Sequence, residues 1–475
     1  MQPTRNDPVE KIRAQLDHPI VDGDGHLIEF IPQVRDFLVE LAGEEVAQRF
    51  DRLSTGGRLA RQVPWEKRRE LGMTRFAWWG LPTRNTLDRA TAMFPQLMYQ
   101  RLDELGIDFA LLFPTYGLTV TALDDEEVRR ASARAYNRYY AEFYAGYRDR
   151  LEPVAAIPMF TPEEAIAELD YAVGELGLKA VMLSGVIPRP VPGAEHVRGA
   201  RWLDTLAHDS DYDYDPVWQR CQELGVSPTF HSSGQGWGTR VSRSSYVYNH
   251  IGNFATAGEA ACRSIFLGGV PRRFPKLRFA FLEGGVAWAA NLYSDILGHY
   301  AKRGGGNVAH YDPANLDREH FEALLQEYAP AAFRERADRL DEALLMLSDP
   351  EEDREVTDEF AQSGIESAED VKQIFEEQFF FGCEADDPMN AIAFDTAKIP
   401  QGAKLRAVFA SDIGHWDVPD CRNVLVEAWE LVENGHLNAR DFRAFTCDNA
   451  LAMFSATNPD FFADTAVADT LPAPE

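Results

Sequence analysis

Apolar residues in this chain gather into short runs without the strict in-and-out alternation of a half-exposed strand, and between those runs they recur at helical spacing. Eight runs stand out: Ile20 to Asp24, Asp108 to Phe113, Leu151 to Met159, Lys179 to Leu183, Ser227 to Phe230, Arg278 to Leu282, Phe379 to Cys383 and Ala407 to Ala410. Short stretches rich in Val, Ile, Leu, Phe and Ala read as strands buried on both faces. The segments between them carry helix punctuation. Thr161-Pro162-Glu163-Glu164 sets a capping residue, an N1 proline and first-turn acids ahead of an amphipathic run to Leu176, which Gly177 stops. Asp215-Pro216 opens a second helix that Gly225 ends. Strands alternating with helices predict a parallel sheet, and eight of them predict an α/β fold closed into a (β/α)8 TIM barrel.

Two segments exceed what this repeat needs. Residues from about 31 to 104 separate the first two strands and carry Trp65, Trp78, Trp79 and Arg84; residues from about 302 to 376, after the sixth strand, are strongly acidic and helical in pattern. Loops at the active mouth of a barrel are where such insertions arise, so both are lid candidates, and both are equally readable as surface subdomains or dimer contacts. The chain is expected to form one barrel domain over residues 1–475, with a poorly ordered tail from about residue 459.

Composition narrows the function. With 475 residues, 45% of them hydrophobic and 11% aromatic, the chain can bury a large core. A net charge of -29 excludes the basic face that phosphate backbones require. The five cysteines, Cys221, Cys262, Cys383, Cys421 and Cys447, are scattered and include no paired spacing, so neither a disulfide framework nor a zinc knuckle is expected. The polar N-terminus lacks the apolar stretch of a signal peptide, and nowhere do eighteen apolar residues run together. The expectation is a soluble cytoplasmic protein acting on a small molecule, with neither nucleic acid nor membrane as partner.

The chemistry is concentrated where three predicted strands end. Asp24 and His26 are two residues apart, so on one strand they face the same side, and Gly23 and Gly25 leave room for close approach. His231 follows Ser227-Pro228-Thr229-Phe230 and leads into the glycine-rich polar stretch Ser232 to Gly238; a histidine so placed is, taken alone, more often a core residue than a ligand. Asp412 follows the eighth run, where it is a candidate ligand or a helix N-cap. In a parallel barrel the C-terminal ends of the strands converge on one mouth, so these residues can meet at one ion.

These stretches carry a resemblance to a known family. Val21-Asp22-Gly23-Asp24-Gly25-His26-Leu27-Ile28-Glu29, Thr229-Phe230-His231, Arg273-Phe274-Pro275-Lys276-Leu277-Arg278 leading into Leu282-Glu283-Gly284-Gly285, and Ser411-Asp412 with His415 behind it resemble the amidohydrolase-2 branch of the amidohydrolase superfamily. That branch contains metal-dependent hydrolases beside decarboxylases of the aminocarboxymuconate-semialdehyde and resorcylate type. The resemblance implies one divalent ion held by Asp24, His26, His231 and Asp412. Asp24 stands where many relatives have a first histidine; the extra carboxylate keeps zinc as the expected metal while admitting manganese or iron. Strand four ends Val181-Met182-Leu183-Ser184-Gly185, without the bridging lysine or glutamate of two-metal relatives, so a mononuclear site is expected. The resemblance also implies a homodimer or higher oligomer, to which the two insertions would contribute, although no symmetric patch is legible.

A second departure bears on mechanism. Glu283 stands where decarboxylating relatives carry a histidine, and beside a cation it stays ionised, a base or an orienting group. His250 is the candidate imidazole in its place, or else a helix-surface or core residue. Glu384 and His415 are further candidates at the mouth, Glu384 also being readable as an ordinary loop acid. Arg84 is a candidate carboxylate fork or a surface ion pair, and Trp237, with Trp78 and Trp79, a candidate pocket wall, although at least two of these three rings are expected to be packing residues. Two reactions fit this set. In hydrolysis Asp412 takes a proton from a metal-activated water while Glu283 or His250 assists the leaving group; in the alternative, a carboxylic acid chelates the ion, carbon is protonated and carbon dioxide leaves. Hydrolysis is favoured because Glu283 replaces the decarboxylase histidine. A barrel kept only for binding is disfavoured by four potential ligands at one apolar mouth.

Overall fold

The computed structural model describes residues 7–71, 73–75, 84–197, 200–234, 236–345 and 358–470. Its centre is a sheet of eight parallel strands: β1 (Val21–Leu27), β2 (Phe109–Pro114), β3 (Leu151–Ile157), β4 (Ala180–Leu183), β5 (Pro228–Phe230), β6 (Phe279–Phe281), β7 (Phe379–Glu384) and β8 (Arg406–Ala410). They are hydrogen-bonded in chain order, and β8 comes back beside β1, where the Asp412 N–H reaches the Asp24 carbonyl at 3.3 Å. All eight apolar runs of the sequence become these strands, with ends displaced by at most three residues.

Nearly every strand residue is buried because the barrel packs on both surfaces. In β2, Phe109, Leu111 and Phe113 belong to the cluster filling the interior, whereas Ala110 and Leu112 belong to the cluster between barrel and helices. A slip of one residue would exchange the two sets. The helices begin and end where the punctuation predicts. The Thr161 hydroxyl caps the helix Pro162–Leu169, which runs on as a wider turn through Glu175, and the helix Asp215–Leu224 stops at Gly225 with φ 67°. A small hairpin, Ile187–Pro190 against Arg201–Asp204, follows β4 where the sequence pattern shows no strand.

Helices occupy both long connections. Between β1 and β2 lie Ile31–Gln62, broken at Gly43, then Trp65–Glu70, Thr86–Met93 and Pro95–Leu105; between β6 and β7 the main helices are Ala287–Arg303, Arg318–Tyr328 and Ala368–Glu377. All five cysteines are buried and free. Among the described residues no helix is long and apolar enough to cross a membrane.

One expectation is corrected. The segment after Asn458 is packed, not loose, as far as Thr470: Phe461, Phe462 and Val467 are buried with Phe454 against the interior cluster. Lys179 donates from Nζ to the Phe461 carbonyl and Ala466 donates to the Asp149 carbonyl, so this segment plugs the N-terminal ends of the strands. The polar residues around the Phe-Phe pair hide, in the sequence, the apolar area that the pair buries. Residues 471–475, Trp78, Trp79 and the side chain of Trp65 lie outside the described residues.

Candidate metal centre

At the opposite end of the barrel the ligand candidates converge. Asp24 and His26 project from β1, with a register slip between Asp22 and Gly25; His231 directly follows β5, Glu283 comes two residues after β6, and Asp412 two residues after β8. Glu283 and Asp412 both take left-handed backbone conformations, φ 59° and 48°, which cost a non-glycine residue about 1–3 kcal/mol and must be held by their surroundings.

The distances describe a compact donor set. His26 Nε2 lies 3.2 Å from His231 Nε2, 3.4 Å from Asp412 Oδ1 and 3.8 Å from Asp24 Oδ1, and His231 Nε2 lies 4.0 Å from Asp24 Oδ1. A tetrahedral ion with bonds of about 2.1 Å holds its ligand atoms about 3.4 Å apart; among the described residues Asp24, His26 and His231 form one group of donors within 4.8 Å of one another, and Asp412 falls with His26, Glu283 and His415 in another group that shares His26 with the first. His26 Nδ1 is 3.3 Å from the Pro114 carbonyl; donating there leaves the Nε2 lone pair directed at the shared centre. Both Asp24 carboxylate oxygens are buried, the residue being 1% exposed, and among the described residues no side chain hydrogen-bonds them. A carboxylate sequestered in that way is costly unless a cation meets it.

The electrostatics agree. Burial, reinforced by Glu283 and Asp22, pushes Asp24 up to about 8. Burial alone would lower His231, but the Glu283 carboxylate, with Oε2 at 2.9 Å from Nε2, outweighs it and raises the imidazole to about 9. Glu283 is in turn held below the ordinary carboxylate range, because His231 and His415 overcome the effect of its burial. Burial and the neighbouring His415 and His231 keep His26 neutral. Burial, with Asp417 and Glu283 nearby, raises Asp412.

Two side chains gain weight from the structure. His415 is fully buried, with Nδ1 2.5 Å from Asp412 Oδ1, its Nε2 3.1 Å from the Thr115 hydroxyl, and its ring against His26 at 3.8 Å between centroids. It therefore sits inside the donor group. Asp417, which the sequence reading passed over, joins Glu384 and Asp412 in a second carboxylate group whose oxygens lie within 4.8 Å of one another. Burial and Asp417 raise Glu384 well above its ordinary value. The available signal was position: Asp417 lies five residues beyond Asp412, in the same loop as His415.

The other candidates lie around this group. His250 ends the short helix Tyr246–His250, stacked on Tyr246 with centroids 5.1 Å apart and met edge-on by Trp416 and Phe254 at 5.5 and 5.7 Å. Phe254 also stands edge-on to His231 at 5.7 Å, so an aromatic ring separates the two imidazoles. Burial lowers the His250 imidazole. Trp237 is half-buried, folded over Gly234 in the loop after β5, and Arg84 is exposed next to the undescribed stretch 76–83.

Comparison with known proteins agrees with the barrel. The sequence model of the family described as Amidohydrolase matches residues 21–343, more than half of the chain. A crystal structure described as an amidohydrolase II is similar over 92% of this chain and 99% of its own, at 11% identity and a TM-score of 0.50. A 2,6-dihydroxybenzoate decarboxylase from Rhizobium covers 92% of this chain and 99% of its own at 15% identity and a TM-score of 0.49. A dihydroxybenzoic acid decarboxylase from a Polaromonas species, solved with manganese and the inhibitor 2-nitroresorcinol, covers 94% and 99% at 15% identity and a TM-score of 0.48. At such identities the likeness concerns the fold.

Proposed function

The chain belongs to the amidohydrolase family, and on that premise we propose that it is a divalent-metal-dependent hydrolase of a small organic substrate, an amide, ester, lactone or carbonyl-flanked C–C bond. Asp24, His26, His231 and Asp412 would hold one ion, with zinc expected and manganese or iron compatible with two carboxylates in the set. Bound there, the ion would polarise the scissile group and acidify water.

The protein's own groups then divide the proton work. Asp412 takes the proton of the attacking water on a carboxylate oxygen, and His415 Nδ1, 2.5 Å away, receives it. The Thr115 hydroxyl at 3.1 Å from Nε2 fixes that ring, and His415 returns the proton to the leaving group. Glu283, held ionised by the neighbouring histidines, stabilises the imidazolium with its Oε1 3.8 Å from His415 Nδ1 and carries no proton to donate. Behind Phe254, His250 lines the substrate wall with Trp416 and does not serve as the acid. Glu384 orients groups around Asp412 from beyond the ligand set.

The observation that carries this reading is the buried carboxylate of Asp24, without a side-chain hydrogen bond, facing two histidine Nε2 atoms, one on β1 and one directly after β5. The test is to purify the protein, measure metal by elemental analysis, and assay amides, esters and lactones before and after chelation. One ion per chain and turnover restored by zinc or manganese is the expected result. Carbon dioxide released from a hydroxybenzoate, with no hydrolysis of any substrate, would replace this reading with decarboxylation. Protein without metal that turns over nothing would leave only the fold.

A further inference from the structure

Strand ladders join β1 to β2 and each following pair through β7 and β8, but among the described residues none joins β8 to β1. That seam separates two strands whose ends carry three of the four proposed ligands. Besides the Asp412 N–H bond to the Asp24 carbonyl, one side chain bridges it by hydrogen bonds. The Asp22 carboxylate, 1% exposed, accepts the Ser411 N–H at 3.0 Å, the Ser411 hydroxyl and the Asp24 N–H at 3.3 Å. Ser411 Oγ accepts in turn from the Ile413 N–H at 3.3 Å, so the network brackets Asp412 on both sides along the chain.

The backbone is shaped around this carboxylate. The register slip of β1 lies between Asp22 and Gly25, and a Cβ on Gly25 would stand 2.5 Å from Asp22 Oδ2, so glycine is required for the close approach. At Gly23 an added Cβ would meet Val408 Cγ1 at 2.3 Å, which shows how closely β1 and β8 are drawn together there. Among the described residues no basic side chain pairs with Asp22, whose hydrogen bonds come from backbone N–H groups and a hydroxyl. An apolar pair could fill the seam without the cost of burying a carboxylate, but it could not accept the N–H groups of Ser411 and Asp24.

We propose that Asp22 is a positioning residue: its carboxylate fixes the β1–β8 seam, and through it the placement of Asp24, His26 and Asp412 around the cation. The proposal rests on the metal-centre reading above. It makes ion affinity, not only the fold, depend on a residue that no ion touches. A purely structural Asp22 would change the stability of the metal-free protein and leave the affinity of the folded protein unchanged.

The experiment compares wild type with Asp22→Asn, Asp22→Ala and Ser411→Ala, measuring zinc and manganese affinity by competition with a chromogenic chelator and the thermal stability of each metal-free protein. Asp22→Asn can still accept both N–H bonds and should stay within about threefold of wild type, whereas Asp22→Ala should bind zinc about 10–100-fold more weakly, the range seen when groups supporting metal ligands are removed. Ser411→Ala, which deletes a single hydroxyl, should weaken binding by about three- to tenfold and decides the matter if Asp22→Ala does not fold. A folded Asp22→Ala, or failing it Ser411→Ala, with wild-type affinity and only a lowered melting temperature overturns the proposal. Wild-type protein that binds neither zinc nor manganese overturns the metal centre itself, and the proposal with it.

Discussion

Residues 28–108, between β1 and β2, and residues 282–378, between β6 and β7, look alike in the sequence, since both are long, helical in pattern and placed where barrels build their mouths. Their packing differs. The helix Ile31–Gln62 buries Val34, Phe37, Leu38, Val46, Ala47 and Phe50 in the main core. Further on, the same insertion is tied to the loops that carry the site. The Arg75 N–H donates to the Ser242 carbonyl at 2.7 Å, and Asn249 donates to the Arg75 carbonyl at 2.7 Å, one residue before His250. Asp88, paired with buried Arg101, accepts the Cys421 N–H in the loop after β8. In the second connection, residues 305–339 have no buried side chain at all, and Tyr328 and Phe333 are 72% and 61% exposed. The first insertion is part of the mouth, and the second holds an arm standing off from the barrel. Position in a barrel therefore does not define a lid; hydrogen bonds to the ligand-bearing loops do.

That contrast ranks the expected consequences of mutation, with the barrel strands first. His231→Ala or Asp412→Ala should abolish metal retention and lower kcat/KM by more than the about 100-fold typical of changes outside the ligand shell. Elemental analysis and steady-state rates on the same preparations check this; full metal content in either variant would remove that residue from the ligand set.

The next effect is pH dependence, also confined by this comparison to the mouth. Asp24 sits near 8 in the folded protein against an ordinary 3.8, so its ionisation is a penalty on the fold that is absent at low pH and complete above about 8. His231 sits near 9 against an ordinary 6.5, so its imidazolium stabilises the fold below 6.5, and that contribution is lost as pH rises through 9. Both act in the same direction: the metal-free protein should lose stability from about pH 6.5 to about pH 9. A cation needs Asp24 ionised and His231 neutral, so binding releases protons and the rise in melting temperature on adding zinc should grow across the same window. Thermal melts with and without zinc at about pH 6 and about pH 8.5 test it; a metal-induced shift that shrinks with pH contradicts the assignment.

A smaller effect is expected where the first insertion meets the mouth. Asn249 is fully buried and donates to the Arg75 and Ser242 carbonyls while accepting the Ser242 N–H at 2.8 Å. Asn249→Ala strands these groups and should cost about 2–3 kcal/mol, concentrated in that contact. Hydrogen exchange should show faster opening around Ser242 and Arg75, with KM raised more than kcat is lowered. Unchanged exchange there would mean that the insertion is held by its core helix alone.

Much of this architecture was legible in the sequence because it depends on local patterns. Eight buried strands leave eight apolar runs, and Asp24, His26, His231 and Asp412 each lie at or just beyond the end of one, so convergence follows from the fold. What could not be read depends on partners remote in the chain. Asp22 and Ser411 are 389 residues apart, and nothing near Asp22 marks it as the closure of the seam. The sequence leaves His250 open between a candidate imidazole and a helix-surface or core residue, because Trp416, which meets its ring edge-on, comes from a different loop. The packing of the tail is hidden in the sequence because Phe461 and Phe462 are surrounded by polar residues, although the open end of the barrel supplies the apolar surface they cover.

The smallest effect belongs to the arm. Exposed apolar side chains contribute little to a fold that does not bury them, and a surface substitution away from caps and networks stays within about 0.5 kcal/mol. Tyr328 and Phe333 meet that description, lying on and just beyond the helix Arg318–Tyr328, which has no buried residue and is braced by the exposed ion pairs of Arg318 with Glu322 and Asp341. The double variant Tyr328→Ser with Phe333→Ser should keep the melting temperature, metal affinity and turnover of wild type, and sedimentation should give the same mass for both proteins. A drop in melting temperature accompanied by a lower mass would show that another chain covers these rings, and would turn the arm from a bystander of the mouth into an assembly contact. A loss of turnover at unchanged mass would instead bring the arm over the mouth and erase the distinction between the two insertions.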